Sequence, residues 1–308
     1  MSVSATPRHD PDGMQGRSLV RQAAGYFWFL APALVVLAVL SIVPVLLTFY
    51  LGSTDLALAK PGSGHWIGLG NYTTMLRDAY FRSSVVVTLV LIGVPVALQM
   101  LLGLGLALLL HTDYPIIKVL RPLFITPMVI PPVVAGLMWK ILYLPNLGGL
   151  NYLLGLAGIP PVSWFSSALM ATVAIIIVAT WEDTPFVMLL VLAALESLPS
   201  EPIEAAIVDG ASAWQRFYSV VLPIIRPVLL TAMIFRLIGS LGIFPVIYVL
   251  TQGGPGRSTE VLNYYAYTQG FTFLNIGYAS ALAVALLVLV LALSLVLTTA
   301  RLREGVAG

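Results

Sequence analysis

Residues 197–227 read SLPSEPIEAAIVDGASAWQRFYSVVLPIIRP and form a long polar interval between two strongly apolar segments. Pro199 ends the preceding helix, and proline is tolerated in the first turn of a new one. Gly210 suits the left-handed backbone of a helix end. Apolar residues then recur at the spacing of one helix face: Trp214, Phe217, Tyr218, Val221 and Leu222. The pattern predicts two short helices, closed by Pro223 and Pro227, that are too short to span a bilayer and dock on another surface.

The composition is typical of a membrane protein and excludes several classes of function. Of 308 residues, 59% are hydrophobic and 9% are charged, against roughly 25% charged in a soluble domain. The net charge is +2 and the basic residues form no patch, so nothing indicates nucleic-acid binding. The chain has no cysteine, its three histidines share no ligand spacing, and no glycine-rich phosphate loop is present. The sequence therefore indicates neither an enzyme nor a chain with its own cofactor or metal.

Six apolar runs are long enough to cross a bilayer as helices. They cover residues 26–50, 85–110, 120–143, 168–195, 228–250 and 276–299. The first run is too long for the hydrophobic region of a signal peptide and lacks a small-residue cleavage site after it. Residues 1–24 are polar, and we expect a disordered tail there. The sequence thus predicts an all-α integral membrane protein with six transmembrane helices.

Basic residues are divided unequally between the two sides of the predicted membrane. Nine fall on the side of both chain ends and of residues 197–227: Arg8, Arg17, Arg21, Lys118, Arg121, Arg216, Arg226, Arg301 and Arg303. Four fall on the other side: Lys60, Arg77, Arg82 and Arg257. Because cytoplasmic loops are enriched in Lys and Arg, we expect both termini and residues 197–227 in the cytoplasm.

The spacing of residues 204–223 resembles the EAA signature of binding-protein-dependent ABC importer permeases. The order is Glu204-Ala205-Ala206, three residues, Gly210, nine residues, then Val220-x-Leu222-Pro223. Val220 stands where the family consensus has Ile. A motif of this length with fixed gaps is far more specific than a short one. Residues 66–76, 121–143 and 251–271 are also similar to segments of carbohydrate-type permeases, so the resemblance covers nearly everything after residue 25.

The resemblance implies a type I ABC importer permease fold with a cytoplasmic two-helix coupling loop. Its implied organisation is a cytoplasmic tail (1–24), a first transmembrane helix with an outer loop (25–83), a permease core (84–301, with the coupling loop at 197–227) and a second tail (302–308). The residues implied in coupling to an ATPase are Glu204, Ala205, Ala206, Asp209, Gly210, Phe217, Leu222 and Pro223. An amphipathic helix lying in lipid headgroups is the alternative, but such helices are usually rich in Lys and Arg.

The partners that the resemblance implies are a second homologous permease, two cytoplasmic ATPase subunits, an extracytoplasmic solute-binding protein and the lipid bilayer. ATP and magnesium would bind to the ATPase subunits, and we expect no cofactor on this chain. The implied location is a bacterial cell membrane, which the chain crosses several times.

Two carboxylates near the centre of the fourth apolar run need a physical reason. Glu182 and Asp183 each cost on the order of 2.5–3.5 kcal/mol there on insertion scales. Consecutive helix residues point about 100° apart, so we expect one to face an aqueous pathway and the other a partner helix. Arg236 in the fifth run is the nearest counter-charge. Two interpretations stay open, a structural ion pair and a contact with the transported solute.

Proline and glycine interrupt the same two runs. Pro185 and Pro245 each free a carbonyl four residues earlier, and such groups at membrane depth need protein or water. Gly239 and Gly242 lie just before Pro245 and predict irregular backbone. The family usually has Asp at the position of Pro245. The predicted pathway residues are Trp181, Glu182, Asp183, Phe186, Arg236, Gly239, Phe244 and Tyr248. Trp139 and Tyr143 we assign to the aromatic belt of the outer interface.

Three classes of function are weighed. A permease subunit driven by separate ATPases accounts for the EAA spacing. A self-sufficient secondary transporter tends to carry an internal hydropathy repeat, which the six runs do not show, and a channel or scaffold leaves the EAA spacing unexplained. The resembled branch handles sugars, oligosaccharides and glycerophosphodiester-type solutes. Because the apolar runs hold no basic cluster for a phosphate, we favour a neutral sugar or polyol.

Overall fold

The computed structural model describes residues 11–112 and 114–306, and their regular structure is helical apart from one isolated β-bridge between Thr54 and Trp66. The first helices are α1 (Pro11–Gly52), α2 (Gly70–Arg77), α3 (Ala79–Leu110), α4 (Pro115–Val129), α5 (Pro132–Leu142), α6 (Gly149–Leu156) and α7 (Ala168–Glu196). They are followed by α8 (Ser200–Val208), α9 (Ala213–Arg216), α10 (Leu222–Gly239), α11 (Phe244–Leu250), α12 (Leu262–Tyr267) and α13 (Ile276–Val306). Two π-helical turns (Phe217–Val221 and Thr268–Thr272) and one 3₁₀ turn (Ser240–Ile243) lie between them.

The all-α membrane architecture predicted from the sequence is confirmed, with one difference in the third span. Within the described ranges, five helices are long and apolar enough to cross a membrane, or six if the bent pair α4–α5 counts as one span. That pair is bent by 102°, so the span predicted over residues 120–143 is a broken helix and not a continuous one. Pro131 and Pro132 stand at the break, where each removes a backbone donor and favours extended backbone in the residue before it.

Two predicted boundaries differ from the structure. The expected disordered tail over residues 1–24 is helical from Pro11 onward, and residues 1–10 lie outside the described residues. Pro223 and Pro227 do not close the loop, because helical backbone continues through both of them into α10. The π-helical turn Phe217–Val221 accounts for this: the Leu222 N–H donates to the Phe217 carbonyl, so the ladder is already shifted where Pro223 has no N–H.

The centre of the molecule is the crossing of α3 and α7. Gly103 of α3 meets Val187 of α7 so closely that a Cβ built on Gly103 would lie 2.6 Å from the Val187 Cβ. Small residues at such a crossing allow two backbones to approach. Helix α7 is the most buried of the long helices, whereas the apolar face of α1 is exposed in the single chain. Side chains on α7 are therefore held by neighbours on several sides.

Candidate functional site: a buried polar cavity and an exposed coupling loop

An ion pair joins the two spans that carry the predicted pathway residues. The Arg236 Nη2 of α10 donates to the Asp183 Oδ2 of α7. Arg236 is buried, and the Asp183 side chain is one-third exposed. The predicted pairing with Arg236 is confirmed, and it is made by Asp183. A charge in the interior needs such a partner, since an isolated one is strongly destabilising.

Gln99 of α3 completes this cluster and was missed by the sequence reasoning. Its Oε1 accepts from the Arg236 Nε at 3.0 Å, and its Nε2 donates to the Ala179 carbonyl at 2.9 Å. The Gln99 side chain is fully buried. The available signal was one amide side chain inside a 32-residue apolar helix, because a buried amide requires hydrogen-bond partners. Gln99 thus ties α3, α7 and α10 together at one point.

Glu182 is buried beside this cluster but takes no part in its hydrogen bonds. It is 8% exposed, and no hydrogen bond holds its carboxylate within the described residues. Glu182 and Asp183 both line a cavity of about 170 Å³ together with Ser240 and Gly239. The expectation that the two carboxylates differ in direction is met: Asp183 reaches Arg236, and Glu182 does not. The cavity wall thus contains two carboxylates, and one guanidinium lies next to it.

Irregular backbone forms one wall of the cavity, as the sequence predicted. Residues Ser240–Ile243 adopt a 3₁₀ turn, and the Ser240 hydroxyl donates to the Arg236 carbonyl at 2.6 Å. Pro245 frees the Leu241 carbonyl, which accepts a hydrogen bond from the Asn263 Nδ2 at 2.9 Å. A side chain of α12 therefore satisfies the group that proline leaves unpaired.

The other predicted pathway residues do not all reach this cavity. Phe186 lies beside the cluster, with Arg236 5.9 Å from its ring centre. Trp181 instead packs edge-on against Trp139, with ring centres 5.4 Å apart, and lines a separate apolar groove of about 810 Å³. Phe244 and Tyr248 lie 5.8 Å apart on α11 and pack against rings of α12. The cavity therefore brings together the polar members of the predicted set but not all the aromatic ones.

The assignment of Trp139 and Tyr143 to an aromatic belt was wrong. Trp139 is 8% exposed and Tyr143 is 1% exposed. The Tyr143 hydroxyl donates to the Ala174 carbonyl of α7 at 2.9 Å, and its ring packs against Trp164 and Phe165. Because the bend between α4 and α5 turns α5 into the bundle, both rings belong to the interior.

The coupling loop has the opposite character. Helix α8 ends at Val208, and Gly210, two residues further on, has φ +76°. This is the left-handed backbone expected from the sequence. Ser212 then caps α9: its Oγ accepts from the Gln215 N–H, and the Gln215 Oε1 accepts from the Ser212 N–H. None of the residues of α8 or α9 is buried. The loop is therefore locally ordered without being packed into the bundle.

The surface of the coupling loop carries apolar side chains without a cover in the single chain. Val208 is 87% exposed, Trp214 69% and Tyr218 50%. Trp214 contacts the rings of Phe217 and Tyr218, at 6.0 and 4.7 Å between ring centres. Glu204, Ala205, Asp209, Gly210 and Pro223 are exposed, and Ala206, Phe217 and Leu222 are half-buried. The predicted coupling residues thus lie on or beside one apolar surface of the chain.

A second carboxylate cluster lies at the opposite end of the bundle. Asp78 caps α3 and accepts hydrogen bonds from the hydroxyls of Tyr265 at 2.5 Å and Tyr278 at 2.7 Å. Burial by itself raises the pKa of the Asp78 carboxyl. The hydrogen bonds from these hydroxyls and from the Tyr80 N–H lower the pKa by more than burial raises it, so the pKa lies below its usual value. This cluster joins α3, α12 and α13 and, unlike the cavity, contains no basic side chain that bonds the carboxylate.

Known proteins resemble this chain over most of its length. Residues 99–306 match the family described as binding-protein-dependent transport system inner membrane component. A probable ABC transporter permease of Sinorhizobium fredii is 39% identical over 92% of this chain and 91% of that protein. The trehalose/maltose transport system permease of Thermococcus litoralis is 36% identical over 83% of this chain and 85% of that protein. A bacterial ABC transporter involved in the import of the acidic polysaccharide alginate shares the fold, with a TM-score of 0.78 and 22% identity over 92% of this chain and 98% of that one.

Proposed function

This chain belongs to the binding-protein-dependent transport system inner membrane components, and from that premise we propose that it carries a sugar across the membrane. It acts as one permease subunit of an ATP-driven importer and performs no chemistry itself. Trehalose and maltose are the first candidates, since a relative of this chain is named for their transport. An acyclic polyol is the nearest chemical alternative.

The observation that carries the proposal is the polar cavity among apolar helices. Glu182 lies at the midpoint of the 29-residue helix α7, next to Asp183 and Arg236. The two carboxylates line the cavity and accept hydrogen bonds, and the Arg236 guanidinium, which bonds Asp183 behind that lining, donates them, so the site holds both partners that a sugar hydroxyl requires. Within the described residues Glu182 makes no hydrogen bond, and its carboxylate is therefore the first acceptor available to a solute.

The coupling loop supports the second half of the proposal. One of the two cytoplasmic ATPase subunits would dock on the apolar surface around Trp214 and Tyr218, which has no cover in the single chain. A second homologous permease completes the pathway, and an extracytoplasmic binding protein delivers the sugar. Both termini then lie in the cytoplasm, as the distribution of basic residues indicates, and ATP and magnesium bind on the ATPase subunits alone.

Thiol accessibility tests the pathway directly, because the chain has no cysteine of its own. We expect Ser240→Cys and Gly242→Cys, both in the cavity wall, to react with a water-soluble thiol reagent in the assembled importer. Trehalose or maltose should slow that reaction. Val36→Cys and Leu40→Cys on the apolar face of α1 are the controls and should stay inert. Cavity cysteines as inert as these controls in every nucleotide state would place the pathway elsewhere.

Uptake by reconstituted vesicles tests the energy source. Vesicles that contain this chain, the second permease and the ATPases should accumulate labelled sugar from the loaded binding protein only when ATP is supplied. Accumulation by the permeases alone, driven by an ion gradient, would instead show a secondary transporter.

A further inference from the structure

Four aromatic rings in mutual contact, with a fifth stacked on one of them, form a cluster at the end of the bundle opposite the coupling loop. We call this cluster the aromatic ladder, and it consists of Phe244, Tyr248, Tyr264, Tyr267 and Phe271. Phe244 lies 5.8 Å from Tyr264 and 5.3 Å from Tyr267, and Tyr248 lies 5.7 Å from Tyr267. Tyr267 stacks on Phe271 at 5.2 Å with an angle of 23° between the rings. The cluster thus joins α11, α12 and the π-helical turn that follows α12.

The ladder differs from the aromatic core of the same molecule. Phe271 is 74% exposed and Tyr248 is 44% exposed, and the three rings between them are half-buried. Tyr143, a core ring, is 1% exposed and its hydroxyl is bonded to a backbone carbonyl. Packing of the single chain therefore leaves Tyr248 and Phe271 exposed and covers the other three rings only in part.

The ladder begins beside the polar cavity. Ile243 and Val246 line the cavity, so the helix α11 that carries Phe244 and Tyr248 starts at the cavity wall. The hydrogen bond from Asn263 to the Leu241 carbonyl holds α12 against this turn and sets Tyr264 beside Phe244. One end of the ladder thus lies next to the cavity wall, and the other end is the exposed Phe271.

The chemistry of the ladder suits a sugar ring. Its five members carry no charge, and three of them combine a flat apolar face with a hydroxyl at the ring edge. A sugar has the matching surface, with C–H groups on one face and hydroxyls around its rim.

We propose that the aromatic ladder is a docking subsite on which the sugar stacks before it reaches the polar cavity. The proposal rests on the function proposed above and adds a second site for the same solute. Sugar released at the far end of the bundle would bind through ring faces first. Only afterwards would the sugar hydroxyls replace their hydrogen bonds to water with hydrogen bonds to the carboxylates of the cavity.

Replacing the rings while keeping apolar bulk tests the ladder. Tyr267→Leu and Phe271→Leu should lower the maximal rate of ATP-driven uptake of labelled trehalose or maltose about fivefold, which corresponds to about 1 kcal/mol. The sugar concentration for half-maximal uptake should stay within about twofold, since the separate binding protein captures the sugar first. Tyr267→Phe keeps the ring face and should transport at nearly the wild-type rate. Tyr152→Leu replaces an exposed tyrosine of α6 in the same way and is the matched control outside the ladder.

Three results would overturn the proposal. Uptake by both Leu variants at the wild-type rate would show that the rings contact no sugar. Failure of the Leu variants to co-purify with the second permease would assign the ladder to a protein interface. If the wild type imports neither sugar, the proposed substrate fails separately, and the ladder is then judged by saturation-transfer NMR with maltose. Transfer from aromatic protons to the maltose C–H protons in the wild type, lost in Tyr267→Leu, supports the ladder, and absence of transfer in the wild type contradicts it.

Discussion

The coupling loop and the polar cavity hold their functional residues in opposite ways. The eight predicted coupling residues fall within residues 204–223, and none of them is buried. The cavity cluster joins Gln99 to Arg236 across 137 positions and buries both. The loop therefore presents its chemistry through local backbone geometry, and the cavity does so through the packing of three helices.

This difference explains why a linear motif describes one region and not the other. A capping box and a left-handed glycine are set by neighbours in the chain, so their spacing is constant and readable. A buried ion pair depends on which helix faces meet, and a residue such as Gln99 has no constant distance in sequence from its partners. Substitutions should accordingly act through local conformation in the loop and through stability in the cavity.

The largest effect on ATP hydrolysis is expected from proline at Gly210. Proline cannot adopt φ +76°, and forcing it there costs about 3 kcal/mol or more, enough to lower sugar-stimulated ATP hydrolysis at least tenfold. Gly158, at the end of α6, has the same φ of +76° and the same open surroundings. Gly158→Pro is thus the matched control at the opposite end of the bundle, and it should leave hydrolysis coupled. Normal stimulation in Gly210→Pro would remove the basis for the loop's role.

Charge reversal in the cavity should have the next largest effect. Arg236→Glu leaves Asp183 without its partner and should destabilise the chain by about 3–5 kcal/mol. Because the structure pairs Arg236 with Asp183, Asp183→Arg should restore much of the loss. Glu182→Arg in the same background is the control and should restore less. Thermal unfolding in detergent measures all four combinations, and equal rescue by both arginines would contradict the observed pairing.

Removing the amide of Gln99 should have a smaller effect. Gln99→Leu leaves the Arg236 Nε without its acceptor and should cost about 1–3 kcal/mol in the free energy of unfolding. Thr126→Val is the control, since the Thr126 hydroxyl bonds only to the Pro122 carbonyl of its own helix and is exposed. A loss for Gln99→Leu no greater than that of the control would show that Gln99 does not hold the cluster together.

The smallest effect is expected at Asp78, where a substitution should change stability without changing transport. Asp78→Asn weakens two charge-assisted hydrogen bonds and should lower the free energy of unfolding by about 1 kcal/mol at pH 7, with sugar uptake unchanged. Because the folded-state pKa of Asp78 is lowered, its contribution is complete above the unfolded pKa and is lost as the pH falls through the folded value. The wild type and the variant should therefore converge in stability only below the folded pKa, which itself lies below the usual value of 3.8. A difference that persists there, or a loss of uptake at pH 7, would contradict this assignment.

The EAA spacing, the left-handed glycine and the irregular turn after Gly239 were all predictable from the sequence. Each depends on residues within a few positions of one another. The sequence also predicted that a carboxylate beside Trp181 pairs with Arg236, because an uncompensated charge among apolar helices is too unfavourable to persist. Which carboxylate does so was left open, since two adjacent residues on α7 differ only in the direction of their side chains.

The bend of the third span and the burial of its aromatic residues depend on tertiary structure. The 102° bend between α4 and α5 turns Trp139 and Tyr143 into the core, although the same residues on a straight helix would reach the interface. Hydropathy counts the residues of a run but carries no information on the angle at a double proline. The position of the ladder rings on α12 likewise depends on the bond from Asn263 to the Leu241 carbonyl.

By itself the sequence determined the membrane environment, the approximate spans and the coupling motif, because hydrophobicity and backbone preference act locally along the chain. Only the tertiary structure decided that Gln99 meets Arg236, that Glu182 has no hydrogen bond among the described residues, and that five rings cluster beside the cavity. The physical reason is that a buried polar group gains its partner from whichever helix packs against it. Close packing selects that helix, as at the contact of Gly103 with Val187.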